Sequence, residues 1–473
     1  MQCRTGLRSW VAMFALHSDR FTTLALVMLT LTLTHRRDHT TSTAPPTAFG
    51  TASIHGCTDI RYPPGAKLPL VVLDAAEATR RNAQCLGGGP PAFYYRNATS
   101  VGAARKWVVH FKGGGVCQSV EQCALSVHGP FGSSEHFPAH VDVGGVLDPD
   151  PYMNPLFAEW HHVMLWYCDG GTWNSDRKDP IILDDPAKPA ANQSITMYFQ
   201  GNAIIRYQLD VLLHQYGLSN ADAILLSGGS VGGSAVMLHA DDIRAMVPNA
   251  KVRGLVISGW WSPAVRARDF AWGMDTPESA AFQQKPAHHE ACLAAMAKDE
   301  QWLCGSVYTS VYFPFVQTPL FIANSVLDSC DLGSMWKGLG HFMSAKPGDC
   351  LDRKRQFTSC HKWEMLLVME RQQQRIQELT KARRDHAGFG AFLHSCLDHG
   401  GLRHTSAFWN YRSADGMSLG AALARWWHDD IGSPGFAERA TNGTHWHMPR
   451  PISDEAPYQP DPTCLAIAGA DPK

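Results

Sequence analysis

Charge is scarce in this chain. Only 18% of its 473 residues are Asp, Glu, Lys or Arg, below the roughly 25% usual for soluble domains, while apolar residues make up 45%. That balance excludes a disordered or supercharged polypeptide. Neither sign dominates, since 41 Lys and Arg face 43 Asp and Glu for a formal net charge of −2. No basic stripe is present to follow a phosphate backbone, so nucleic acid is excluded as an expected partner. CxxC spacings, and with them any CxxC-HxxxH pairing, are missing, which argues against a zinc module. No internal repeat interrupts the chain, and no convincing linker falls between about residues 55 and 450, so one large domain is expected. A long apolar span is also lacking. The uncharged run Phe21 to Thr34 has 14 residues, short of the roughly 17–25 that cross a bilayer.

That run, preceded by Arg4, Arg8 and Arg20 and followed by Arg36 and Arg37, fits the apolar core of a secretory signal. The best small-residue site, Ser42 to Ala44, is followed by Pro45, which hinders cleavage. Two outcomes therefore stand: a cleaved leader and a secreted protein, or a retained anchor attaching a lumenal domain to the membrane as a single-pass type II protein. The expected organisation is a signal or anchor region at 1–38, a Ser/Thr/Pro-rich stem at 39–56, a catalytic domain at 57–450 and a tail at 451–473. Of the 13 cysteines, Cys3 precedes the apolar run, leaving twelve for the lumenal side. An even set in an oxidising compartment reads as disulfides, and Cys117 and Cys123 are close enough to staple one loop. The sequons at Asn97, Asn192 and Asn442 agree weakly with the same route. The 15 tryptophans are expected mainly in the core.

Short apolar runs recur at Leu68–Leu73, Trp107–Phe111, His162–Trp166, Ala223–Leu226, Gly254–Ile257 and Pro319–Ala323, each of strand length. Helical patterns at Ala203–Tyr216 and Val231–Met246 flank one of them. The alternation predicts an α/β fold around a mostly parallel sheet. The pattern of Met365–His386 predicts one long helix whose charge run is a solvent-facing side.

Two glycine-rich turns sit where strands end. Ser227-Gly-Gly-Ser230-Val-Gly-Gly233 joins the strand at 223–226 to the following helix and contains G-x-S-x-G. In such an elbow a Cβ two positions before or after the serine would clash, and the hydroxyl stands free above the sheet. Ser230 is thus a candidate nucleophile, with the Val231 N–H and the helix start aimed at developing negative charge. A plain glycine-rich helix cap remains the alternative. Lys112-Gly113-Gly114-Gly115 follows the strand at 107–111 and can bring backbone N–H groups to an oxyanion. The competing reading is a nonfunctional turn, because the phosphate-loop Lys-Ser/Thr and G-x-G-x-x-G spacings are not met.

Together these segments resemble the pectin acetylesterase and Notum family of serine carboxylesterases. The resemblance runs over most of residues 65 to 430: Ala83 to Tyr95 with its Cys and Pro-Pro-aromatic pattern, Trp107 to Cys117 with Cys123, Trp166-Tyr-Cys-Asp-Gly-Gly171, Tyr198-Phe-Gln-Gly201, the Ser227–Gly233 elbow, Phe392 to His399 and Trp426-Trp427. It implies an α/β-hydrolase-like fold, a mostly parallel central sheet flanked by helices, and a catalytic triad of Ser230, Asp328 and His399. It also implies an oxyanion hole of Gly114, Gly115 and Val231, with no metal or organic cofactor. The chain departs from the family at Gly229, where a Cys is usual, and at Val116, where an aromatic is common.

Asp331, three residues beyond Asp328, stays open as the acid, and His394 and His404 as the base. Asp398 beside the base is read as an exposed loop residue or a tuner of His399. His288-His289-Glu290 and His445-Trp-His447 lack the spacing to aim paired rings at one ion. The implied activity is ester hydrolysis through an acyl-serine, removing O-acetyl groups from an extracellular polysaccharide such as pectin. The alternatives are a Notum-like deacylase of a lipidated secreted protein and a catalytically silent carbohydrate-binding relative.

Overall fold

The computed structural model describes residues 67–189, 193–263, 275–333, 360–386, 388–401, 405–429 and 446–447. The leader, the stem and the 451–473 tail lie outside the described residues, as do Asn192, Asn442, His404 and His445. The described residues all fall in one compact unit, Ser53–Lys473. No described helix is long and apolar enough to cross a membrane.

Each predicted apolar run forms a strand. In chain order the strands are β1 (Lys67–Val72), β2 (Ala92–Arg96), β3 (Lys106–Phe111), β4 (His140–Asp142), β5 (His161–Leu165), β6 (Ile181–Asp184), β7 (Ser194–Met197), β8 (Ala223–Gly229), β9 (Lys251–Ile257), β10 (Leu320–Ser325), β11 (Gly390–His394) and β12 (Trp446–His447). Among the described residues the main sheet is ordered β12-β11-β10-β9-β8-β3-β5-β2-β1-β4, and β6 pairs with β7 apart from it. From β12 to β5 every pairing is parallel, whereas β5-β2, β2-β1 and β1-β4 are antiparallel. This is the mostly parallel sheet of an α/β fold that the alternation of elements implied, and its flanking helices agree with the α/β-hydrolase-like fold that the resemblance implied. The strands β8, β10 and β11 are buried at every position, as parallel strands covered on both faces must be.

The helix Val231–Met246 packs on β8 and β9. Every residue from Val231 to Ala240 is buried, so this first part of the helix is enclosed all round, while Asp242 and the residues from Arg244 to Met246 are exposed. Tryptophan serves the core as expected: Trp107, Trp173, Trp260, Trp261 and Trp426 are fully buried. Disulfides join Cys85 to Cys168, Cys117 to Cys123 and Cys292 to Cys304, and Cys330, Cys360 and Cys396 are also disulfide-bonded.

The long helix departs from its expected solvent-facing character. It spans Lys362–Asp385, and Glu364, Val368, Gln372, Arg375, Leu379 and Ala382 form a buried stripe at helical spacing. Half of that stripe is polar, which hid it from a reading based on apolar periodicity.

Close backbone packing fixes the elbow. A Cβ at Gly228 would lie 2.0 Å from the Gly232 carbonyl oxygen, and one at Gly232 would lie 2.0 Å from the Phe111 carbonyl oxygen. Both obstacles are backbone atoms that cannot swing away. Gly232→Ala is therefore expected to destabilise by about 1–3 kcal/mol, whereas Gly102→Ala, whose Cβ meets nothing within 4 Å, stays within about 0.5 kcal/mol. Denaturant midpoints of the two variants check this, and equal midpoints contradict it.

Candidate active site

Five neighbouring parallel strands, β11, β10, β9, β8 and β3, end at one edge of the sheet. Immediately past those ends lie His399, Asp328, Ser258, Ser230 and the Gly113–Gly115 loop, in that spatial order. The carboxyl edge of an open parallel sheet is where ligand sites collect.

Ser230 is held at φ +57°, ψ −128° between β8 and its helix, a conformation that L residues rarely adopt. Its N–H donates to the Ile257 carbonyl at the end of β9, 2.9 Å away. The triple-glycine loop is pressed onto this elbow. A Cβ at Gly113 would meet the Gly229 carbonyl at 2.5 Å and the Ser230 Cβ at 3.0 Å. A Cβ at Gly114 would strike the Tyr167 ring at 2.1 Å. Gly115 adopts φ +80°, open to glycine without penalty. The Tyr167 hydroxyl donates to the Gly115 carbonyl at 2.7 Å and accepts from the Thr172 N–H at 3.0 Å. Burial, with Asp169 nearby, pushes the Tyr167 pKa up, so the hydroxyl keeps its proton as a donor. The Trp173 indole N–H donates to the Lys112 carbonyl at 3.0 Å. Of this loop, Gly113 is the residue packed on Gly229 and Ser230, while Gly114 packs on Tyr167.

On the other side, His399 Nδ1 lies 2.9 and 3.0 Å from the two carboxylate oxygens of Asp328. Asp328 Oδ1 also accepts the N–H groups of Cys330 and Asp331, at 3.0 and 3.1 Å, which fixes the carboxylate. The Gly400 N–H donates to Ser258 Oγ at 2.9 Å. Ser230 and Gly400 are thereby tethered to consecutive residues, Ile257 and Ser258. Among the described residues His399 Nε2 is buried without a hydrogen-bond partner. It is the ring nitrogen left for a serine hydroxyl or a substrate proton once Nδ1 is committed to the acid. Ser230 and His399 are each 8% exposed, so the site is nearly closed yet reachable, and the Trp261 ring lies 5.6 Å from the His399 ring.

The open alternatives separate cleanly. Asp331 is engaged elsewhere: Arg371 contacts its two oxygens at 2.8 Å each and Arg375 contacts Oδ2 at 2.7 Å. Burial raises its pKa, but the two guanidinium groups outweigh that and hold it at about 2. His394 is buried at the end of β11, with Nδ1 3.3 Å from the Cys396 N–H and its ring against Tyr411. Asp398 is buried rather than exposed. It bridges to Asp328 through the backbone, and its carboxylate fills the space beside Gly401. Ser258, at φ +48°, and Tyr167 were not legible as site residues. Tyr167 lies in the Trp166–Gly171 segment, which was noticed, but nothing in Gly259-Trp-Trp261 marks the preceding serine.

A family model described as pectinacetylesterase matches residues 64–464. Pectin acetylesterase 11 of Arabidopsis thaliana is 27% identical over 340 residues, covering 70% of this chain and 80% of that protein. The palmitoleoyl-protein carboxylesterase Notum of Drosophila melanogaster is 28% identical over 283 residues, 55% of this chain and 38% of that protein. A solved structure of the Wnt deacylase Notum from Drosophila superposes with a TM-score of 0.60 at 23% identity, covering 82% of this chain and 97% of that one; this likeness concerns the fold.

Asp331→Asn is expected to cost about 3–5 kcal/mol near neutral pH, because it leaves two buried guanidinium groups without their carboxylate. The folded-state pKa of about 2 lies below the roughly 3.9 of an unfolded Asp. The contribution is therefore complete above the unfolded value and lost as pH falls through about 2. Urea unfolding at stepped pH should show the gap between wild type and variant narrowing over that interval, and a constant gap contradicts the assignment.

Proposed function

Because the chain belongs to the pectinacetylesterase family, we propose that it is a serine carboxylic-ester hydrolase working through an acyl-enzyme on Ser230, with His399 as base and Asp328 as the acid that orients it. The observation that carries this reading is the His399 ring, with Nδ1 fastened to both oxygens of Asp328 and Nε2 buried without a partner among the described residues, at the same sheet edge as the strained elbow of Ser230.

His399 Nε2 takes the Ser230 proton as Oγ bonds to the ester carbonyl carbon. The carbonyl electrons move to oxygen, and the N–H groups of Gly114, Gly115 and Val231 stabilise that charge. Collapse breaks the bond to the alcohol, which leaves with the proton from His399. Water then gives a proton to His399, attacks the acyl carbon, and the acid departs as Ser230 recovers its proton. Asp328 holds the tautomer with Nδ1–H and stabilises the imidazolium.

The substrate proposed is an O-acetylated extracellular polysaccharide such as pectin. Its support is the Arabidopsis pectin acetylesterase, four-fifths of whose length the chain spans. The fold shared with Drosophila Notum supports a second reading, removal of a longer acyl chain from a lipidated protein. A secretory destination is supported by the disulfides. Residues 57–450 are proposed as the esterase domain.

Ser230→Ala is expected to abolish p-nitrophenyl acetate turnover in folded protein, and retained turnover rejects the nucleophile. Asp328→Asn should lower kcat by about 10⁴-fold, as the same change does in a serine protease, with KM moved far less. A series of acetyl, octanoyl and palmitoleoyl esters decides the substrate class. Acetate preference is expected, and a kcat/KM that rises with chain length favours the deacylase.

A further inference from the structure

A second cluster of chemically capable side chains lies away from the nucleophile. His239 and Asp242 sit one turn apart on the helix Val231–Met246, so they share a face. His288 approaches them from the turn before the helix Glu290–Ala295. One nitrogen of each histidine and one Asp242 oxygen lie within 4.8 Å of one another. His239 is nine residues beyond Ser230, roughly 13 Å along the helix axis, so this cluster is distinct from the esterase site.

The hydrogen bonds around the two rings decide which nitrogens carry lone pairs. The Asn174 amide nitrogen donates to the Pro286 and Gly305 carbonyls, both at 2.8 Å, which fixes its Oδ1 as the acceptor. His288 Nε2 lies 2.7 Å from that Oδ1 and must carry the proton it donates. His288 Nδ1 likewise faces an oxygen that accepts, Asp242 Oδ2 at 3.2 Å, so a metal ion entering here would take the place of the proton between them. His239 Nε2 lies 3.1 Å from the Trp173 carbonyl, which can only accept, so this nitrogen is also protonated and Nδ1 holds the lone pair. The rings stand at 76° with centroids 4.5 Å apart. Imidazoles whose outer N–H is held by a carbonyl or amide oxygen are oriented as metal ligands are.

We propose that His239, Asp242 and His288 bind a divalent transition-metal ion, with zinc the class that two imidazoles and one carboxylate suit best. Tetrahedral zinc with bonds of about 2.1 Å needs its ligand atoms about 3.4 Å apart. The half-exposed Asp242 carboxylate is free to close that difference. His239 and Asp242 also line a cleft of about 430 Å³ together with Asn202 and Arg206, through which an ion can reach them. Arg206 opposes a cation there, but Asp176 lies within electrostatic range of both Arg206 and His288, leaving Asp176 and Asp242 to outweigh it. The ion would clamp the elbow helix to the turn that carries His288, and the outer nitrogens of the two rings tie both to the Trp173–Asn174 turn. In that turn Thr172 and Trp173 are held at φ +68° and +62°, a strain that surrounding contacts must maintain.

The test uses the full chain, stripped with chelator and titrated with zinc at neutral pH against a chromophoric competitor. One equivalent is expected to bind tightly, with a rise in Tm that chelator reverses. Asp242→Asn and His288→Gln should weaken binding at least tenfold and erase the Tm shift, while His214→Gln, an exposed histidine elsewhere, leaves both intact. Cobalt in place of zinc should show the visible bands of a four-coordinate ion. Asp242 is exposed enough for its variant to fold, which far-UV circular dichroism verifies. No stoichiometric binding, or an Asp242→Asn protein that binds as tightly as wild type, overturns the proposal and leaves His288 and Asp242 as an ion pair.

Discussion

The geometry of a parallel sheet sets the problem that the rest of this molecule solves. Ser230 follows β8 and His399 follows β11, three strands apart, which is about 14 Å at the usual strand spacing. A side chain spans only part of that distance. The Ser395–Gly400 loop must therefore lean back across β10 and β9, and two contacts hold it there: the Asp328–Asp398 bridge and the hydrogen bond from the Gly400 N–H to Ser258 Oγ. Asp328, after the intervening β10, then meets the imidazole on the way. Without the tether to Ser258, the ring would have an orienting acid but no fixed position over the elbow.

The loops that carry this arrangement are braced from behind by the helix Lys362–Asp385. Arg375 donates to the Ser325 carbonyl at the end of β10, and both Arg371 and Arg375 grip Asp331. Glu378 accepts from the Trp260 indole and the Ser262 hydroxyl in the loop after β9. A chain with so little charge spends several of its ionic groups inside, where pairing must offset desolvation. A buried pair of this kind adds little net stability over an apolar contact of equal volume. What it supplies here is direction: a guanidinium fork fixes its partners in a way that a leucine cannot.

Much of this architecture was legible because strand and helix signals are local. The helix Val231–Met246 falls where its pattern placed it, and six apolar runs became strands to within a few residues. β8 runs on through Gly228 and Gly229 because pairing with β9 holds residues that carry no apolar signal. β2 was noticed only as a motif. At the site, the glycines announced Ser230 and its loop because close backbone approach excludes every other residue. His399 and Asp328 had no such signature, and among 23 histidines only the family resemblance singled out one. His288 stood out only with His289 and Glu290, whose spacing argues against a shared ion; its grouping with His239 and Asp242 has no sequence signature, since those two share a helix face and His288 arrives 46 residues later along a path that no periodicity encodes.

Backbone strain gives the last link between the site and its surroundings. Among the described residues, six that are not glycine adopt positive φ, and four of them, Ser230, Ser258, Thr172 and Trp173, border the elbow or its glycine loop. Each such residue costs on the order of 1–3 kcal/mol, and glycine would relieve it. Glycine would also remove the reason for the position. Ser258 contributes the hydroxyl that pins the histidine loop, Trp173 the indole that holds Lys112 at the head of the glycine loop, and Ser230 the hydroxyl aimed above the sheet. At Ser258 and Trp173 the strain persists because the side chain is locked by a partner on another element. Ser258 is coupled to the elbow through its neighbour Ile257, whose carbonyl takes the Ser230 N–H, so a change in the histidine loop has a backbone route to Ser230.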